Sequence, residues 1–242
     1  MKKLIILSLL IVAGQVAAWG QTVNIHMKDG RVIEYDASGV DYVNFTAAST
    51  TPDEHEAVDL GLPSGLKWAT CNVGATKPEE GGYYFAWAEV AEKEDYIVTA
   101  YKWRNQSGSI NKYTDNNSNV LEPEDDAAHV LWGESWRIPT QLECQELINN
   151  CKRTATTQNG VQGYLFTGPN GNSIFLPICG FKSGKDIANT DKGYYWTRNL
   201  DSGRNTRAQD FYLTDVTAHS PYGVIERWNG LTIRPVTDAG TK

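Results

Sequence analysis

A single well-patterned amphipathic helix among many short strand-like runs is the feature that most limits what this chain can fold into. Residues 141–151 place Leu142, Leu147, Ile148 and Cys151 at near-helical spacing. Thr140 and Glu143 supply the S/T-x-x-E signature of a capping box, in which each side chain satisfies an orphan amide of the other's residue. The run Trp132-Gly133-Glu134-Ser135-Trp136-Arg137-Ile138-Pro139 leads straight into that helix, and its two tryptophans suit a core anchor. A second, short helix is expected over 124–131. Elsewhere the texture is one of short apolar runs broken by glycine, proline and asparagine. Strands are expected at 66–70, at 82–90 with Tyr83, Tyr84, Phe85 and Trp87, and at 163–167 and 173–177 on either side of Gly168-Pro169-Asn170-Gly171-Asn172. Further strands are expected at 193–198, 208–214, 224–228 and 231–236. Few helices among many short strands imply an α+β domain of antiparallel strands.

Four segments precede or make up that domain. Residues 1–20 have the order of a secretory signal: Met1-Lys2-Lys3, an apolar run too short to span a bilayer, then small residues up to Ala18. The chain is therefore expected to be exported, to the cell surface, the extracellular space or the periplasm, without an integral span after cleavage. Residues 21–48 alternate around Asp29-Gly30 and read as a β-hairpin segment, extended by 42–45. Residues 49–56 read as a linker and 57–238 as the main domain. The formal charge of −7 becomes more negative once Lys2 and Lys3 are removed, which disfavours nucleic acid and anionic membrane as partners.

Few motifs carry chemistry. There is no G-x-S-x-G elbow, His55-Glu56 begins an H-E-x-x-H whose last position is Asp59, and Gly184-Lys185-Asp186 lacks the spacing of a phosphate loop. No catalytic residue and no cofactor is assigned. A calcium loop is imitated by Asp115, Asn117 and Asn119 with Asp126 at the twelfth position, but Val120 stands where the turn needs glycine. Glycoside hydrolysis requires two carboxylates across a cleft, with Glu89, Asp125, Asp126, Glu143 and Asp210 as candidates. Arg137 and Arg234 lie in apolar stretches, so at least one is expected to be buried and paired, with Asp125 or Asp126 as the preferred carboxylate. Trp68, Trp87, Trp132, Trp136 and Trp196 are expected in the core. Tyr101, Trp103 and Tyr113, in a polar asparagine-rich stretch, are the candidates for an exposed ligand-binding aromatic surface. Four cysteines in an exported chain admit three disulfide connectivities, and a helix over 141–151 would hold Cys144 and Cys151 about 10 Å apart, out of bonding reach.

The residues Val58-Asp59-Leu60-Gly61-Leu62-Pro63-Ser64-Gly65-Leu66-Lys67-Trp68-Ala69-Thr70-Cys71-Asn72-Val73-Gly74-Ala75 closely resemble the opening of the Fibrobacter succinogenes major paralogous domain. The similarity continues through Tyr84-Phe85-Ala86-Trp87, Asp125-Asp126-Ala127-Ala128, 132–140, 171–177, 193–196 and 230–236. That family occurs in exported and surface proteins with no chemistry established for it as a class. The resemblance implies a C-type-lectin-like fold, shared with formylglycine-generating enzymes. Cys71 and Cys151 fit the family pattern while Cys144 and Cys179 are extra, which implies the pairings Cys71 with Cys151 and Cys144 with Cys179. The expected function is a non-enzymatic binding or interaction domain for a glycan or a surface protein, its contacts made by loops at 99–122 and 199–222. The alternatives are a glycan-active hydrolase and a structural surface component. The sequence leaves the oligomeric state open.

Overall fold

The computed structural model describes residues 55–114, 119–214 and 223–238 in full, and the backbone of Thr22–His26, Val32–Asp36 and Tyr222. By its internal contacts the chain divides into Met1–Thr50 and Thr51–Lys242. In the first unit β1 (Thr22–His26) pairs antiparallel with β2 (Val32–Asp36), Thr22 opposite Asp36 and His26 opposite Val32. The expected signal, the Asp29-Gly30 turn and the 42–45 extension lie outside the described residues.

In the second unit the order is β3 (Ala57–Asp59), β4 (Lys67–Ala69), α1 (Ala127–Trp132), β5 (Trp136–Arg137), α2 (Gln141–Asn150), β6 (Lys152–Gln158), β7 (Val161–Thr167) and β8 (Ser173–Pro177). Then follow β9 (Phe181–Ser183), β10 (Asp186–Ala188), β11 (Gly193–Leu200), β12 (Arg207–Leu213), β13 (Tyr222–Glu226) and β14 (Val236–Thr237). The strands form small antiparallel sheets, β3-β4-β14-β5, β6-β7-β8 and β11-β12-β13, with β9-β10 as a separate hairpin. This is the expected α+β layout of short antiparallel strands. Among the described residues no helix is long and apolar enough to cross a membrane.

The helix α2 forms as its start signal requires. The Thr140 hydroxyl accepts from the Glu143 amide at 3.2 Å, and the Glu143 carboxylate accepts from the Thr140 amide at 2.7 Å. Its buried face is carried by Cys144 and Leu147, whereas Leu142, expected on that face, is 80% exposed. The amide and hydroxyl of Ser64, in the turn before β4, donate to the Glu146 carboxylate at 2.9 and 2.6 Å and dock that turn on the helix.

Two strand expectations fail for identifiable reasons. Residues 82–90 form no ladder: Phe85 makes an isolated bridge with Leu231, and Ala88 turns the chain with φ 65°. Tyr84, Phe85 and Trp87 are buried by insertion between elements while Tyr83 stays exposed, with the indole of Trp87 donating to the Thr197 carbonyl at 2.9 Å and that of Trp196 to the Phe85 carbonyl at 2.6 Å. Of 231–236 only Val236 joins a ladder, flanked by Trp68 and Arg137. Conversely, β6 is a strand that the sequence pattern does not mark. Its sequence KRTATTQ has exposure on both sides and hence no apolar alternation to mark it, although Asn159-Gly160, both with positive φ, close a two-residue hairpin to β7.

Two apolar clusters fill the unit. One gathers Trp68, Cys144, Leu147, Tyr164, Phe166 and Phe211 between α2 and the β7 and β12 strands. The other gathers Phe85, Trp87, Tyr113, Trp196, Leu231 and Ile233. Trp132 is only partly buried, its ring stacked on His55 at 3.7 Å.

Candidate functional site

The second apolar cluster ends in a box of aromatic rings built around one arginine. Arg227, immediately after β13, is fully buried, with its guanidinium 4.7 Å from the Trp87 ring, 5.3 Å from Tyr101 and 5.7 Å from Tyr113. Such rings offer their electron-rich faces to a cation, which offsets part of the cost of removing it from water. No carboxylate among the described residues pairs with it. Its Nε donates to the Tyr101 hydroxyl at 2.8 Å, and Nη1 donates to the carbonyls of Lys112 at 3.0 Å, Asn205 at 2.9 Å and Tyr113 at 3.4 Å. Burial pulls its pKa below the usual arginine value, opposed foremost by Tyr101. Nη2 has no partner.

Those carbonyls belong to the two loops expected to carry function. Lys112 and Tyr113 end the 101–114 segment, and Asn205 lies in the 201–206 connection between β11 and β12. A single buried cation therefore holds two surface segments at a fixed separation. Between them opens a cavity of about 460 Å³ lined by Thr114, Leu200, Asp201, Ser202, Arg204, Asn205 and Thr206. The 201–206 loop is braced by its own backbone: the Gly203 amide donates to the Asp201 carboxylate at 3.0 Å and the Arg207 amide to the Arg204 carbonyl at 3.0 Å. Ser202, Arg204 and Asn205 are exposed, and their side chains are not engaged by any described residue. The cleft is thus a braced polar rim presenting a guanidinium, an amide and hydroxyls.

The expected aromatic surface is corrected by the structure. Tyr101 and Tyr113 are 3% and 4% exposed, because their hydroxyls satisfy buried groups: Tyr101 donates to the Trp87 carbonyl at 2.8 Å and Tyr113 to the Asp125 carboxylate at 2.7 Å. Tyr113 also has positive φ, a conformation that costs a side-chain-bearing residue energy and needs surrounding contacts to hold it. Trp103 is half-buried, its indole donating to the Ala88 carbonyl at 2.8 Å, with the amino groups of Lys102 and Lys112 over its ring at 4.4 and 4.8 Å. The three residues are a wall of the scaffold and offer no free stacking shelf.

The arginine expectation is met for burial and corrected for partners. Arg234 is buried but takes only neutral acceptors, Asn72 Oδ1 at 2.7 Å and the Ala69 carbonyl at 3.2 Å. Arg137 forks onto Glu143 at 2.7 Å through both terminal nitrogens and reaches Asp238 at 2.7 Å. Burial works against the Glu143 carboxylate, yet Arg137 and the Thr140 amide more than offset it and hold its pKa below the ordinary value. Asp125 instead binds Lys112 at 2.5 Å and Tyr113. Asp126 caps α1, accepting from the amides of Ala128, His129 and Ile138. Burial pushes its pKa up against those amides and Arg198.

Asp126 is thereby turned inward and is not a free calcium ligand. Asn119 gives its carbonyl to the Leu200 amide at 2.8 Å, and Asp115 and Asn117 lie outside the described residues. Among the described residues no group of three or more His, Cys, Asp or Glu is placed to hold a metal. A smaller cavity of about 210 Å³ beside Trp136 contains Asp126, Glu134 and Asp238, of which Asp126 is occupied by amides and Asp238 by Arg137.

The cysteine pairings are corrected as well, since all four thiols are free. Cys144 and Cys151 lie in the α2 cluster, while Cys179 faces Thr232 Oγ1 at 3.5 Å and Cys71 lies beside Thr70. One further residue escaped sequence reading except as a generic carboxylate. Asp210 in β12 is buried with neither oxygen partnered among the described residues, and burial raises its pKa to about 7. Gly223 lies opposite it, and a Cβ there would stand 2.4 Å from Asp210 Oδ1, so any side chain at 223 would force the buried carboxyl to shift.

No family model, curated protein or solved structure matches the chain.

Proposed function

We propose that this chain is an exported, non-enzymatic binding domain whose ligand, a glycan or a surface protein, contacts the cleft between the 112–114 and 201–206 segments. The observation that carries the reading is Arg227. Its hydrogen bonds to the carbonyls of Lys112, Tyr113 and Asn205 fix both walls from below, while no described residue engages the side chains of Ser202, Arg204 and Asn205. A backbone held in place before a ligand arrives loses less freedom on binding, which favours affinity in the hydroxyl, amide and guanidinium groups it carries. Membership of the Fibrobacter succinogenes major paralogous domain family and its C-type-lectin-like fold are part of this proposal, supported by the ordered motifs from 58 to 236 and by the short antiparallel sheets. A hydrolase would need two unengaged carboxylates facing one cleft. The occupation of Asp126 and Asp238 weighs against that alternative.

A glycan array and a panel of surface proteins probed with wild-type protein and with Arg204→Ala/Asn205→Ala test the proposal. Binding that falls about tenfold or more in the double variant, with unchanged melting temperature, supports it. Binding that the double variant retains moves the site elsewhere and sinks it, as does an absence of binding in both formats.

A further inference from the structure

The strand β6 ends its sheet with an edge that no other described strand covers. Among the described residues it has one neighbour in the order β6-β7-β8, and five of its seven residues are exposed. The register to β7 runs unbroken from Lys152 opposite Thr167 to Gln158 opposite Val161. Because a two-residue hairpin makes its flanking residues, Gln158 and Val161, a mutually bonded pair, alternate residues of β6 turn their backbone groups outward: Arg153, Ala155 and Thr157. No hydrogen bond from any described residue reaches these outward groups. Edges of this kind are normally blunted by proline, a bulge, or charge along their length. Here there is neither proline nor bulge, and Lys152 and Arg153 occupy one end while Thr154, Ala155, Thr156, Thr157 and Gln158 are neutral.

We infer that β6 is a self-association edge, through which two copies of this chain join their sheets in antiparallel fashion about a two-fold axis at Ala155. Three features select this occupant and this register. Only centring on Ala155 lets all the outward groups pair, Arg153 with Thr157 of the second copy and Ala155 with its own equivalent, each pair exchanging two backbone hydrogen bonds. A parallel arrangement would set Lys152 on Lys152 and Arg153 on Arg153, whereas the antiparallel one separates the like charges. It also brings Lys152 opposite Gln158 of the second copy. There Glu79 accepts from Gln158 at 3.2 Å and Asn159 at 2.7 Å, so the incoming ammonium meets a carboxylate. Thr154 faces Thr156 of the second copy on the same side of the sheet.

Sedimentation of the full chain across the micromolar range tests this. A contact of one strand pair is at the small end of stable interfaces, so a reversible dimer with a dissociation constant of roughly 10–100 µM is expected. Ala155→Pro removes an outward N–H without touching the β7 ladder and should raise that constant about tenfold or more, with secondary structure unchanged by circular dichroism. Lys152→Glu, which cannot impair folding through the ladder, should weaken the dimer through repulsion from Glu79. A mixture of Thr154→Cys and Thr156→Cys proteins should cross-link under mild oxidation, and neither alone nor wild type should do so comparably. A monomer at every concentration overturns the inference. So does a dimer insensitive to both Ala155→Pro and Lys152→Glu, or equal cross-linking of Thr154→Cys with itself.

Discussion

Tyr101 and Arg227 stand 126 positions apart and share a buried hydrogen bond of 2.8 Å, with the same arginine bonded to backbone in two loops. The tyrosine therefore serves the cleft from beneath it. This explains how a residue in a polar stretch can be buried: its hydroxyl both accepts from the cation and donates to the Trp87 carbonyl.

Replacing Arg227 by Lys keeps the charge but loses the fork that spans the carbonyls. Arg227→Lys is expected to cost roughly 2–4 kcal/mol in denaturant unfolding, because several buried acceptors lose their donor together. Arg204→Ala, at the exposed rim, should change stability by less than about 0.5 kcal/mol. Equal costs for the two would contradict the scaffold role of Arg227.

Asp210 gives the protein an inverted acid response. A carboxyl whose folded pKa is about 7 binds its proton more tightly folded than unfolded. The stability it contributes is complete below the unfolded value near 4 and is lost as pH rises through about 7. Asp210→Asn should therefore be most stabilising, relative to wild type, at pH 8, and should flatten the decline between those limits. Melting temperatures measured across that interval decide it, and a wild-type profile that rises from acid to neutral with no change in Asp210→Asn would refute it.

Glu143 works in the opposite sense. Its folded pKa is lowered, so its contribution is present above the ordinary carboxylate value and is lost as the solution is acidified through the folded value. Thr140→Ala should cost about 1 kcal/mol through the lost cap. A double-mutant cycle of Arg137→Met with Glu143→Gln should give a coupling of roughly 1–2 kcal/mol at neutral pH, diminishing in acid.

Alkylation of the unfolded, unreduced protein followed by mass spectrometry should count four free thiols. In the native state Cys144 should be the slowest to react, since complete burial raises its pKa and blocks access. A mass deficit corresponding to a disulfide would show that the pairings implied by the family resemblance form after all.

How far these features can be seen in the sequence depends on whether they are local. The α2 start was legible because Thr140 and Glu143 interact within one turn. The 163–167 and 173–177 strands were legible because both carry runs of apolar residues that become buried, Ile174 to Pro177 on both faces, and Gly168 to Asn172 mark the turn. β6 was not, since a strand with no buried face leaves no alternation. The Arg137 and Arg234 partners were not either, because the choice among Glu143, Asp125, Asp126 and neutral acceptors is made by elements far apart in the chain. Burial of Tyr101 and Tyr113 depends on Arg227, which in sequence reads as the tail of an ordinary strand at 224–228.

Arg227 grips its two loops through main-chain oxygens, a group every amino acid carries. Residues 202, 204 and 205 can consequently be exchanged with no demand from the foundation on which they stand. The arrangement separates the residues that set the shape of the backbone from those that set the chemistry of the rim, so that the rim can be altered by point changes without altering the framework.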